Sequence, residues 1–229
     1  YNALQYMALR TSTPLNVTLI ASSSPVWAMV VGAVGYKVRP TRLQLIGALL
    51  SLAGVALVMS RGNPAALADI HFVQGDLLML VAIIGWSLYS WMLAKPPAHM
   101  LGAARPNWNW AQFLVAQAIF GVSGAVATAV VGDMIAPSAP TQWSWQLVAT
   151  ILFVAIGPSI IAYRLWGLAV AEAGPAMASI FYNLTPLFAA VLSAAVIGEG
   201  PQPFHGVAFG LIVAGIAVSS RSTAARAGK

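Results

Sequence analysis

Long apolar runs separated by short polar turns organise the whole chain. The runs cover 14–36, 42–60, 75–95, 109–131, 145–171, 175–197 and 203–220. Most reach the roughly 17–25 residues an α-helix needs to cross about 30 Å of hydrocarbon. Residues 1–12 read as the partial end of one further span. Helix is the form expected of each run, because lipid cannot satisfy an open strand edge. The dyad alternation of an outer-membrane barrel is absent as well. The pattern predicts an all-α, polytopic helical membrane protein with about seven and a half spans in this sequence.

Composition narrows the class further. Only 7% of residues are charged and 59% are hydrophobic, whereas a soluble domain carries about 25% charged residues. A soluble enzyme or nucleic-acid binder is therefore excluded as the primary reading. The net charge of +6 does not reopen it, since the basic residues form no stripe on one element and no nucleic-acid partner is expected. The absence of cysteine removes disulfide frameworks and thiolate metal sites. The chain starts at Tyr1 inside an apolar stretch without a basic leader, which is not the layout of a signal peptide.

Orientation follows from the basic residues. If the turn carrying Lys37, Arg39 and Arg42 is cytoplasmic, alternation places Lys95, Arg105, Arg221, Arg226 and Lys229 inside as well, and only Arg10 and Arg61 outside. That distribution obeys the positive-inside rule and predicts a cytoplasmic C-terminus, with 221–229 as a basic tail.

The chain also repeats itself. Sliding 1–60 along by 161 positions brings Pro14 onto Pro175, Pro25 onto Pro186, Pro40 onto Pro201 and Gly54 onto Gly215. Matched alanines could arise from composition, but three prolines at one spacing are harder to dismiss, because proline is structurally expensive in a helix. Residues 1–60 read as the later part of one repeat, 61–74 as an external connection, and 75–220 as a second repeat of five spans. Five is odd, so the copies are expected to cross the membrane in opposite directions. Their comparison also implies about 85–90 residues before Tyr1. Inverted repeats of this kind typify secondary transporters, with the substrate near the midplane.

A proline-centred helix, a short Gly-Glu turn and a glycine-rich closing helix (Pro186, Gly198-Glu199, Gly215) resemble the EamA family of the drug/metabolite transporter superfamily. The first copy departs from it, with Tyr36-Lys37-Val38 where the second has Gly-Glu. The resemblance covers nearly the whole chain and is closest to the YddG-type exporters of aromatic amino acids. It implies a ten-helix (5+5) inverted-repeat fold, alternating access, and export of amino acids and related metabolites across a bacterial inner membrane.

Candidate site residues follow from polar and aromatic groups placed at membrane depth. Pro25 and Pro186 stand at the middle of their spans, each expected to free a carbonyl, that of Ala21 and that of Tyr182, as gating or hinge points. Just before them lie Ser22, Ser23 and Ser24 in one copy, and Asn183 and Thr185 in the other. These either line a cavity or repair the backbone, as hydroxyls often do. Trp86, Tyr89 and Ser90 share one helix face, with Trp91 on its flank. Trp86 sits near the centre of its span, unlike Trp108, Trp110, Trp143 and Trp145, which suit the interfacial belts. It reads as either lipid-facing packing or a wall for an apolar solute. Tyr1, Asn2 and Tyr163 are further polar groups inside spans. Arg164 is the only charge well inside one; it either snorkels to the interface or gates and recognises a carboxylate. Gly206, Gly210 and Ala214 read as a close-packing face.

No acid occupies the centre of a run. Asp76 stands at a span entrance, and Asp69, His71 and Asp76 read as solvated charges on one outer connection rather than a metal site. A buried carboxylate is what a proton-coupled exporter of lipophilic cations would use, so a neutral or zwitterionic solute moving by facilitated diffusion fits better. His71, His99 and His205 show no catalytic spacing. The reading is a non-enzymatic, facilitative metabolite exporter without cofactor or metal, monomeric in the bilayer. Its competitors are a proton-coupled drug or cation exporter and a membrane assembly subunit without transport activity.

Overall fold

The computed structural model describes residues 1–63, 65–68, 71–102, 106–135, 141–197 and 202–227. The Gly198-Glu199 turn, Pro201, Asp69, Arg105 and Lys229 lie outside the described residues, as does the side chain of Arg226. Among the described residues the chain is α-helical, with no strand. Among the described residues six helices are long and apolar enough to cross a membrane, or seven when the bent pair of Pro14–Ser22 with Ser24–Gly35 counts as one span.

The chain divides into two compact units, residues 1–96 with 169–229, and residues 97–168. The first holds α1 (Asn2–Ala8), α2 (Pro14–Ser22), α3 (Ser24–Gly35), α4 (Arg42–Met59), the short α5 (Ala65–Ala68) and α6 (Gln74–Ala94). The second contributes α7 (Trp110–Ile135), α8 (Trp145–Ile156) and the start of α9 (Ala162–Ala173). The first unit then closes with α10 (Pro175–Tyr182), α11 (Thr185–Ile197) and α12 (Pro203–Ala227).

Helix starts are written in the sequence. Thr41 caps α4 by accepting from Gln44 N–H at 3.2 Å, while the Gln44 side chain accepts from Thr41 N–H at 2.9 Å, a reciprocal capping box. Asn109 and Gln112 exchange the same pair of bonds at the head of α7. Ser144 caps α8 through Leu147 N–H.

The proline spans differ from the expected single kinked helices. α2 and α3 meet at Ser23 with a bend of 42°, and α10 gives way to α11 across Asn183 and Leu184. Each break precedes its proline, so Pro25 and Pro186 fall in the first turn of a new helix. Their missing N–H costs little there, since the first N–H groups of a helix have no intrahelical partner.

The most extensive helix pairing among the described residues of the first unit is between α4 and α12. A Cβ placed at Gly47 would collide with the carbonyl of Gly215, and one at Gly215 with the carbonyl of Gly47. Farther along, a Cβ at Gly54 would meet Ile212 and the carbonyl of Ala208. As numbers rise on α4 they fall on α12, so the two helices run antiparallel. The shift of 161 converts Gly54 into Gly215 and Ala208 into Gly47, and so exchanges one contact for the other. Reciprocal contacts of that form are what a twofold axis across two antiparallel helices produces. In lipid the hydrophobic effect does not favour helix pairing, so close backbone approach and dispersion carry it.

That seam corrects the reading of Gly206, Gly210 and Ala214. Among the described residues a Cβ at Gly206 or Gly210 would meet nothing beyond its own turn of α12 within 4 Å, and all three positions are exposed. The packed face of α12 instead carries Ala208, Ile212, Gly215 and Ser219.

In the second unit, the span after Ser144 is interrupted at mid-depth by a π-helical turn, Gly157–Ile161, containing Pro158. Ser159 donates to the Val154 carbonyl at 2.9 Å, five residues back.

Candidate functional site

A cavity of about 310 Å³ opens in the first unit beside both proline breaks. Ala21 and Ser22 line it from the end of α2, Tyr182 from the end of α10, and Thr185 and Pro186 from the start of α11. Gln5, Thr18, Val58 and Met59 complete much of the wall. The breaks place backbone ends and small polar groups together at depth, the setting in which irregular backbone is tolerated in a membrane protein. The volume falls within the usual range for small-molecule sites, about 300–1,000 Å³.

Local hydroxyls complete the broken backbone. Ser22 donates to the Thr18 carbonyl at 2.8 Å and Ser23 to the Ile20 carbonyl at 2.6 Å. Thr185 donates to the Tyr182 carbonyl at 2.6 Å, so the oxygen expected to be free has a partner. Ser22 and Thr185 thus serve the backbone while their side chains border the cavity. Ser24 is buried, and its hydroxyl finds no partner among the described residues.

Asn183 is fully buried and donates its amide N–H to Ser51 Oγ at 3.0 Å. Its Oδ1 is buried without a partner among the described residues. Leaving such an acceptor unpaired costs about 1–3 kcal/mol. Ser51, a mid-span polar residue that sequence reasoning passed over, also packs against Gly215 in the α4–α12 seam.

An aromatic surface leads away from the cavity. The Tyr182 and Tyr1 hydroxyls lie 3.4 Å apart. The Tyr1 ring stands 5.3 Å from Trp86, and Trp86 stands 5.3 Å from Tyr89, centroid to centroid in both cases. Four aromatic residues from α10, the start of α1 and α6 therefore run in one series. Ser90, on the same face in the sequence, is buried and donates to the Trp86 carbonyl at 2.8 Å. Asn2 is exposed and does not line the cavity. Gln5 and Thr18 do line it, but each is a single polar residue in an apolar stretch, which gave no signal.

Trp91 has a different setting from Trp86. It is 6% exposed, its Nε1–H donates to the Ala28 carbonyl at 2.6 Å, and its ring stacks on Tyr36 at 4.9 Å. Asp76 corrects another expectation. It is not solvated but 1% exposed, accepting from Ser12 Oγ, from Asn16 Nδ2 at 3.0 Å and from Val73 N–H at 2.9 Å. Asn16 also donates to the His71 carbonyl at 3.1 Å.

Tyr163 and Arg164 belong to the second unit. Tyr163 is half-buried, while Arg164 is exposed with its guanidinium 5.1 Å from the Trp110 ring. Trp110 opens α7, so this cation–π contact draws the arginine towards a helix end.

The sequence pattern of the EamA-like transporter family matches residues 1–60 and 73–221. An uncharacterized transporter of Archaeoglobus fulgidus is 26% identical over 214 residues, which are 93% of this chain and 69% of the relative. The aromatic amino acid exporter YddG of Ancylobacter novellus is 24% identical over 227 residues, 96% of this chain and 71% of the exporter. A solved crystal structure superposes with a TM-score of 0.69 at 20% identity, covering 94% of this chain and 70% of its own, a likeness of fold.

Proposed function

We propose a function from one premise: the chain belongs to the EamA-like transporter family. It is a polytopic helical membrane protein of a family of transporters rather than enzymes, acting on small molecules in a lipid bilayer. Within that class we infer export of amino acids and related metabolites, apolar and aromatic ones foremost, by facilitative alternating access through a bacterial inner membrane.

The observation that carries this reading is the aromatic series from Tyr182 through Tyr1 and Trp86 to Tyr89, beginning at a cavity of about 310 Å³. Aromatic faces offer a large apolar contact, favour a ring in offset or tilted geometry, and in tyrosine supply a hydroxyl for a polar end. Asn183, Thr185, Ser22 and Ser24 add polar groups around the breaks. The similarity to an exporter named for aromatic amino acids points the same way. Two halves of opposite direction, 1–60 and 75–220, would share the pocket, a reading supported by the reciprocal contacts of Gly47 with Gly215 and of Gly54 with Ala208. The basic residues favour a cytoplasmic C-terminus. Pro25 and Pro186 are the proposed hinges, and Arg164 a gating group at a membrane boundary.

Purified protein in liposomes tests this. Counterflow of labelled phenylalanine or tryptophan without an imposed gradient is the expected result. Flux only under a proton gradient would replace the facilitative mechanism with a coupled one, and no flux of any amino acid would overturn the substrate class.

A further inference from the structure

The transport reading leaves two buried attachments on α6 unused, one at each end. At one end Asp76 accepts from Ser12, in the turn after α1, and from Asn16 on α2. At the other, Trp91 donates to Ala28 on α3 and stacks on Tyr36, just past the end of α3. The backbone fits the ring: a Cβ at Gly32 would overlap Trp91. Asp76 and Trp91 are fifteen positions apart in one unbroken helix, or roughly 22 Å at 1.5 Å per residue.

The partners of these two ends are the two halves of one broken span. α2 serves the Asp76 end, α3 serves the Trp91 end, and between them the chain bends by 42° at Ser23. A straight helix would transmit release at one end to the other. A break allows one half to part from α6 while the other stays docked. The bonds are also placed for all-or-none closure, since a half-withdrawn Trp91 leaves an N–H unpaired and a half-withdrawn Asp76 leaves a carboxylate short of donors.

We propose that Asp76 and Trp91 are positioning residues of the transport cycle, closing the two ends of the pathway and opening in alternation about the Ser23 break. This rests on the transporter reading but not on any particular solute. Both closures are formed at once in the structure, so the two openings are alternatives drawn from one closed state, and loosening one end draws population away from opening at the other.

Residues 1–229 hold no cysteine, so single-cysteine reporters placed among them need only any cysteine elsewhere in the protein to be replaced by serine. Ala28→Cys reports on the Trp91 end and Val17→Cys on the Asp76 end; both positions are buried. In the full chain in liposomes, Trp91→Ala is expected to raise the labelling rate of Ala28→Cys about tenfold, the population change that about 1.4 kcal/mol brings. It should lower labelling of Val17→Cys. Gly32→Ala, which keeps the tryptophan but evicts its ring, should act in the same direction. Asp76→Asn and Ser12→Ala should do the reverse, and Ser12→Ala serves if the first variant fails to fold. A rise at both reporters in any variant would mark general loosening and overturn the proposal, as would no change at either. Amino-acid flux measured in the same vesicles separates the readings. Reciprocal labelling without flux would keep the closures and sink the solute class, while flux without reciprocity would do the opposite.

Discussion

Asn183 holds an amide wholly removed from solvent, with a hydrogen bond to Ser51 and a buried oxygen that finds no partner among the described residues. A purely structural position would favour a residue without that penalty, so a buried amide next in sequence to Tyr182, which lines the cavity, supports a polar partner during transport. Trp86 makes the sharper case. Its ring lies between Tyr1 and Tyr89 and is only half-buried. Replacing it with alanine should cut transport of tryptophan and phenylalanine about tenfold while leaving alanine transport within about twofold, the scale of one aromatic contact of roughly 0.5–1.5 kcal/mol. Competition assays in liposomes measure this, and equal losses for large and small solutes would contradict it. Trp86 and Asn183 stood out in the sequence as candidates because bulky aromatic or polar groups at mid-span have few neutral uses, and their part in transport is the proposal these assays test. Asp76 did not stand out in that way. Its partners Ser12 and Asn16 stand 64 and 60 residues away, and no local pattern joins them.

Among the elements, the proline spans were foreseeable and their form was not. Proline marks a helix that cannot continue unbroken. The location of the break depends on whether nearby hydroxyls complete the carbonyls, which Ser22, Ser23 and Thr185 do. The small residues of α12 show the same limit. Gly206 and Gly210 have the familiar spacing, yet Ala208, Ile212, Gly215 and Ser219 form the packed face. At about 100° per residue, a two-residue offset moves a position to the opposite side of the helix, and only the partner's location decides between them. The α4–α12 seam therefore predicts different costs for similar substitutions. Gly47→Ala or Gly215→Ala drives a methyl group into a backbone carbonyl and should destabilise by about 1–3 kcal/mol. Gly206→Ala and Gly210→Ala meet nothing beyond their own turn within 4 Å among the described residues and should be neutral or stabilise slightly, by up to about 1 kcal/mol. Thermal unfolding in detergent distinguishes the two pairs, and equal effects would contradict this account of the seam.

For the whole molecule, the offset of 161 carries the most information. It joins three prolines in the sequence and exchanges two backbone contacts in the fold. Composition alone identified the membrane, and the spans lie where hydropathy put them, because a lipid solvent leaves helices few alternatives. The direction of each repeat is a different matter, resting on an odd number of spans and on charge. Arg10 and Ala171 stand at corresponding positions of the two copies and are both exposed. The most direct test of the account is labelling of Arg10→Cys and Ala171→Cys, each alone, with a membrane-impermeant thiol reagent in sealed vesicles of known orientation. Two antiparallel halves require opposite sides, Arg10→Cys from outside and Ala171→Cys from inside. Labelling of both from the same side would contradict the inverted arrangement and with it the shared pocket.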